Sequence, residues 1–101
     1  MAWMIYGANG YTGELIAREA AARGMSPILA GRNATKIERL AQELKLGHRV
    51  FDLDSPTHIA AQLQGIKLVL LAAGPFSATS QAMVQACIQA GAHYLDITGE
   101  I

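Results

Sequence analysis

A single cysteine, Cys87, excludes an internal disulfide and fits a reducing compartment, so a cytoplasmic protein is expected. Eight Lys and Arg balance eight Asp and Glu, which leaves no basic footprint for nucleic acid. The three histidines, His48, His58 and His93, are scattered with no second ligand at metal-site spacing, so no metal is expected. The apolar run 68–73 is far too short to cross a bilayer. The first apolar stretch breaks at Gly7 and has no basic segment before it, which argues against a signal peptide. No Tyr-x-x-x-Lys pair occurs, so the usual catalytic pair of short-chain reductases and sugar epimerases is missing. Linkers, repeats and low-complexity segments are also lacking. With apolar residues at 51% of 101, the expectation is one compact domain spanning 1–101.

Against these absences stands one glycine-rich segment, Gly7-Ala8-Asn9-Gly10-Tyr11-Thr12-Gly13. It follows the apolar run Ala2-Trp3-Met4-Ile5-Tyr6 and opens a helical pattern. Strand, glycine turn and helix in that order make a dinucleotide-binding turn. Gly7 permits the tight turn, Gly10 lets a pyrophosphate approach the backbone, and Gly13 lets the helix pack on the strand. The first-turn N–H groups and the positive end of the helix dipole then face the phosphates. An NAD site usually carries an acid about 20 residues on, at the end of the second strand. Here that strand, Pro27-Ile28-Leu29-Ala30, ends in Gly31-Arg32-Asn33. Arg32 can pair bidentately with a 2′-phosphate, which points to NADP. The plainer alternative is a solvated loop charge.

Strand and helix alternate throughout. Strands are expected at 2–6, 27–30, 48–51, 67–72 and 93–97. Helices are expected at 11–23, at 34–46 behind Asn33 as N-cap, from Ser55 and Pro56 to Gly65, and at 78–90. Gly24, Gly47 and Gly91 stand where the other three helices stop. Glu14/Arg18 and Glu19/Arg23 should pair at i,i+4, and Met83, Val84, Cys87 and Ile88 should be buried. The pattern predicts an α/β fold: a doubly wound parallel (Rossmann) sheet in order 3-2-1-4-5 with helices on both faces. Ligands then bind beyond the carboxyl ends of the strands, where the unusual segments all fall.

Further candidates lie on that edge. Asp52 either accepts from an adenine amino group or, like Asp54, caps the third helix. Gly74 allows close approach to a ribose, Pro75 stiffens the strand exit and Phe76 can pack on a nicotinamide; an ordinary connecting loop is the alternative. Thr12 can add a hydroxyl to the pyrophosphate, and Tyr11 either joins it or packs. Asp96 and Glu100 bracket Thr98-Gly99, where a proton donor or acceptor would serve the nicotinamide, although such acids are more often structural. Cys87 reads as a buried inert thiol, and His93 as a surface residue.

Together the glycine turn, Ala30-Gly31-Arg32, Gly74-Pro75-Phe76 and the stretch from Ala86-Cys87 through Ala90-Gly91-Ala92-His93-Tyr94-Leu95-Asp96-Ile97-Thr98-Gly99-Glu100 resemble the N-terminal NADP-binding domain of the saccharopine dehydrogenase-like family. The ending Asp-x-Thr-Gly-Glu looks closer to the broad oxidoreductases and trans-acting enoyl reductases of that family than to its lysine-pathway enzymes. The resemblance implies NADP-linked hydride transfer, with Gly10, Tyr11, Thr12, Arg32 and Gly74 near the cofactor. Family members continue into a substrate domain, so the chain is expected to be an N-terminal fragment with little turnover of its own. A non-catalytic NADP-sensing or interaction module is the alternative. An exposed fifth strand or fourth helix should then promote self-association into a homo-oligomer.

Overall fold

The computed structural model describes residues 2–72 and 76–97. Strand and helix alternate as β1 (Trp3–Tyr6), α1 (Tyr11–Ala22), β2 (Ile28–Gly31), α2 (Ala34–Leu44), β3 (His48–Val50), α3 (Pro56–Gln62), β4 (Leu68–Leu71), α4 (Phe76–Ala90) and β5 (His93–Asp96). The strands form one parallel sheet in the order β3-β2-β1-β4-β5, as the alternation predicts. In register, Tyr6 stands beside both Ala30 and Leu71, Leu71 beside Asp96, and Gly31 beside Val50. The five carboxyl ends therefore share one edge, and the switch point lies between β1 and β4.

Side chains alternate across a strand, so each face of the sheet carries its own core. Ile5 and Leu29 meet Ala17, Ile37, Leu40 and Ala41 beneath α1 and α2. On the other face Met4, Tyr6, Val69 and Leu71 meet Ile59, Leu63, Met83 and Cys87 beneath α3 and α4. Full burial of each large aliphatic side chain is worth about 1.5–3 kcal/mol, so these layers hold the sheet edge in place.

The helix ends follow local chemistry. Asn33 Oδ1 accepts from the Lys36 N–H at 3.0 Å to cap α2, and Ser55 Oγ accepts from the His58 N–H at 3.2 Å to cap α3. Gly24, Gly65 and Gly91 take positive φ values of 78°, 80° and 75° after their helices. The end of α2 departs from expectation: the helix stops at Leu44, and Lys45, not Gly47, adopts the left-handed conformation with φ 59°. The Leu46 N–H then closes on the Ala41 carbonyl at 2.9 Å. Gly47 serves packing instead, since a Cβ there would lie 3.0 Å from Ile28 Cδ1.

Helix α4 also differs from expectation. It begins at Phe76 rather than 78. Its buried stripe is Met83, Ala86 and Cys87, whereas Ile88 is 75% exposed and Val84 only partly buried. Ile88 lies one residue, about 100° of helical rotation, beyond Cys87 and so leaves the stripe.

Candidate functional site

The turn after β1 is pinned to β2, because the N–H groups of Gly7 and Ala8 both donate to the Ala30 carbonyl, at 2.8 and 3.2 Å. Gly7 has φ 87°, the left-handed region that glycine enters without cost. The three glycines have separable roles. A Cβ on Gly13 would lie 2.1 Å from the Gly7 carbonyl oxygen and 2.9 Å from Ala8 Cα, so this position must be glycine for α1 to seat. A Cβ on Gly10 would meet only that oxygen, at an ordinary 3.4 Å. Nothing among the described residues requires glycine at position 10, where φ is −79°.

Gly10 is the N-cap of α1 and provides no side-chain cap. The N–H groups of Tyr11, Thr12 and Gly13, at the first three positions of α1, therefore have no partner within the helix and are available to an acceptor from outside it. The Tyr11 and Thr12 side chains are exposed, Tyr11 to 84%, so Tyr11 does not pack in the core of the described residues.

A cleft of about 360 Å³ opens beside the turn, lined by Tyr6, Gly7, Asn9, Gly10, Gly31, Arg32, Asn33 and Ala72. Gly31 makes room for Asn9, since a Cβ on Gly31 would lie 2.8 Å from Asn9 Oδ1. Arg32 is exposed and has no carboxylate within ion-pair distance among the described residues. The structure thus brings Gly7, Asn9, Gly10 and Arg32 together as the sequence predicts, with Tyr11, Thr12 and Gly13 in the adjoining first turn of α1.

Tyr6, Gly31, Asn33 and Ala72 also line the cleft, although the sequence did not mark them as cofactor-binding residues. Tyr6, Gly31 and Ala72 could have been anticipated only as the ends of strands beside the turn, and Asn33 only as the cap of α2. Tyr6 donates its buried hydroxyl to the Phe51 carbonyl at 2.6 Å, and its ring lies 5.0 Å from the Phe51 ring. Burial first, and then the Asp52 carboxylate, push the Tyr6 phenol up to about 12.

Asp52 is exposed just past β3 and takes no part in capping α3. That work falls to Ser55, while Asp54 accepts from the Ser55 N–H and lies 2.9 Å from His58 Nδ1. The hydrogen bond from His58 holds the Asp54 carboxyl below its usual range. Asp96, at the end of β5, accepts from the Tyr94 hydroxyl at 2.6 Å. Burial and this bond raise the Tyr94 phenol. Cys87 is buried, which pushes its thiol up to about 11 and keeps it unreactive. His93 is exposed. Gly74, Pro75 and Glu100 lie outside the described residues, as does the Phe76 side chain.

Among the described residues no cluster of His, Cys, Asp or Glu could hold a metal, and no helix is long and apolar enough to cross a membrane.

The model of the saccharopine dehydrogenase NADP-binding domain family matches residues 3–100. The chain belongs to that family. As a saccharopine dehydrogenase NADP-binding domain it has NADP as its cofactor. It is 34% identical to a saccharopine dehydrogenase-like oxidoreductase of Arabidopsis thaliana, over 96% of this chain and 25% of the relative. It is 30% identical to a trans-acting enoyl reductase of Mycobacterium bovis, over 97% of this chain and 25% of that protein. The domain spans about a quarter of the length of the curated relatives it matches. Its fold matches that of saccharopine dehydrogenase (L-Glu forming) from Saccharomyces cerevisiae with a TM-score of 0.81 at 14% identity, over 94% of this domain and 21% of that chain.

Proposed function

We propose that the cleft at the β1–β4 switch point holds NADP(H), and that the domain presents the nicotinamide for hydride transfer to a substrate bound by segments outside it. In this reading the pyrophosphate lies over Gly10 against the N–H groups of Tyr11, Thr12 and Gly13, with Gly7 and Asn9 shaping the turn. Arg32 pairs with the 2′-phosphate, and Asp52 faces the adenine amino group. Gly74, Pro75 and Phe76 border the ribose and nicotinamide. The nicotinamide carries the hydride, while the protein supplies binding and orientation. Asp96 and Glu100, which follow one another closely in the sequence after Leu95, are the candidates for a proton donor or acceptor at the reacting end. Asp96 is the weaker candidate, because it already accepts a bond from Tyr94.

The observation that carries the reading is Gly10, a glycine that none of the described residues requires, at the uncapped start of α1 and on the wall of the Arg32 cleft. A methyl group missing for no internal reason is explained by a ligand that takes its place. A reducing compartment such as the cytoplasm fits the one buried thiol. The test is NADPH oxidation followed over carbonyl, imine and enoyl substrates. The 101-residue chain alone should show negligible turnover while binding the cofactor, and robust turnover would overturn the assignment of substrate binding to other segments.

A further inference from the structure

A second cleft, of about 310 Å³, lies between α1 and α2 and shares Asn9 with the first. Its charged lining consists of Glu14, Arg18, Lys36, Arg39 and Glu43. The two acids are already engaged: Arg18 bonds Glu14 at 2.8 Å and Glu43 at 2.5 Å. Lys36 and Arg39 have no carboxylate within 4.0 Å among the described residues.

Lys36 is in a position where the fold gains nothing from a cation. It lies in the first turn of α2, which contains no acid, and a positive charge there opposes the helix dipole. Its backbone N–H is already satisfied by Asn33. It follows Arg32 by four positions, across the cap that joins β2 to α2. Arg32 and Asn33 line one cleft and Lys36 the next, with Asn9 between them.

We propose that Lys36 is a second determinant of NADP specificity, a point charge that meets the 2′-phosphate from α2 while Arg32 grips it from the end of β2. A phosphate monoester near neutral pH carries close to two negative charges, and one guanidinium compensates only part of them. Lysine contributes charge with freely rotating donors, and arginine contributes the planar fork. Arg39, a turn further along α2, acts only at longer range and through solvent. This inference rests on the assignment of the first cleft to NADP.

Calorimetric titration of the chain with NADP⁺ and NAD⁺ tests it through Lys36→Gln, Lys36→Arg and Arg32→Ala. Lys36→Gln should weaken NADP⁺ roughly five- to tenfold, less than a full charged hydrogen bond because Lys36 is exposed and screened by solvent, and leave NAD⁺ within about twofold. Lys36→Arg should restore most of the loss. Equal weakening of both cofactors by Lys36→Gln would mark a merely structural role and overturn the proposal. So would unchanged NADP⁺ affinity in Lys36→Gln while Arg32→Ala loses it, and in that case the NADP assignment of the cleft would stand. If the unaltered chain shows no preference for NADP⁺ over NAD⁺, the assignment of the cleft itself fails and the role of Lys36 goes with it.

Discussion

Two glycines three residues apart should respond to the same substitution in opposite ways. At Gly13 an added methyl would lie 2.1 Å from the Gly7 carbonyl oxygen and 2.9 Å from Ala8 Cα. Both are backbone atoms, and the Gly7 and Ala8 N–H groups tie that backbone to Ala30, so it cannot turn aside. Helix α1 would have to move off the sheet, disturbing Ala17 against Ile5 and Leu29. Overpacking a core typically costs 1–3 kcal/mol, and a clash with immobile backbone belongs at or above the top of that range, about 3 kcal/mol. For a domain of this size that lowers Tm by roughly 12–24 °C. At Gly10 the methyl meets only the Gly7 oxygen at 3.4 Å, in a backbone conformation open to any residue. Gly10→Ala should leave stability nearly unchanged, because a gain of about 0.4–1 kcal/mol through the unfolded chain is offset by alanine's poorer N-cap of α1. Its effect should appear on the ligand, with NADP⁺ affinity falling at least about tenfold, or 1.4 kcal/mol, because the methyl takes the place of the pyrophosphate. Thermal unfolding with and without NADP⁺ reads both quantities, since bound ligand raises Tm. A stable Gly13→Ala refutes the steric argument for α1. A folded Gly10→Ala that binds as tightly as the unaltered chain refutes the phosphate cradle.

Other expectations follow from particular contacts. Lys45 takes a left-handed conformation that glycine enters more readily, so Lys45→Gly should stabilise the domain by about 0.5–1 kcal/mol in urea unfolding; destabilisation would show that the lysine side chain matters more than its backbone. The Cys87 thiol and Tyr6 phenol are raised on folding to about 11 and about 12, above unfolded values near 9 and 10. Their contribution is thus present in full below pH 9 and is lost as pH rises through 11 and 12, which a series of urea midpoints should show as an alkaline fall, with Tyr6→Phe flattening its upper part. Edge strand β5 and helix α4 expose Leu95 at 56% and Ile88 at 75%, so self-association through one of them is expected in sedimentation, and a monomer at high concentration would count against it.

Much of this architecture was legible because local signals agreed with one another. The run of strand, glycine turn and helix identified the phosphate end, and the strict alternation of strand and helix led to the observed strand order. Gly24, Gly65 and Gly91 marked helix ends correctly because each takes positive φ with open space around it. Gly47 misled because it serves a tertiary contact with Ile28, which no local signal reveals. Ile88 misled because hydropathy alone does not orient a helix face, and the stripe through Met83, Ala86 and Cys87 is set by the sheet below. The same limit applies at the site. Tyr6 could not be linked to Phe51, 45 residues away, before β1, β2 and β3 were placed side by side. The division of labour between Gly10 and Gly13 emerged only from distances to Gly7.

The central claim is that the cleft between the glycine turn and Arg32 selects the 2′-phosphate. The direct measurement is calorimetric titration of the unaltered chain and of Arg32→Ala with NADP⁺ and NAD⁺ under the same conditions. The unaltered chain should prefer NADP⁺, and Arg32→Ala should weaken it by about 1.5–3 kcal/mol, the scale of a charged hydrogen bond, while NAD⁺ affinity stays nearly constant. Equal affinity for the two cofactors, or tighter binding of NAD⁺, would contradict the account.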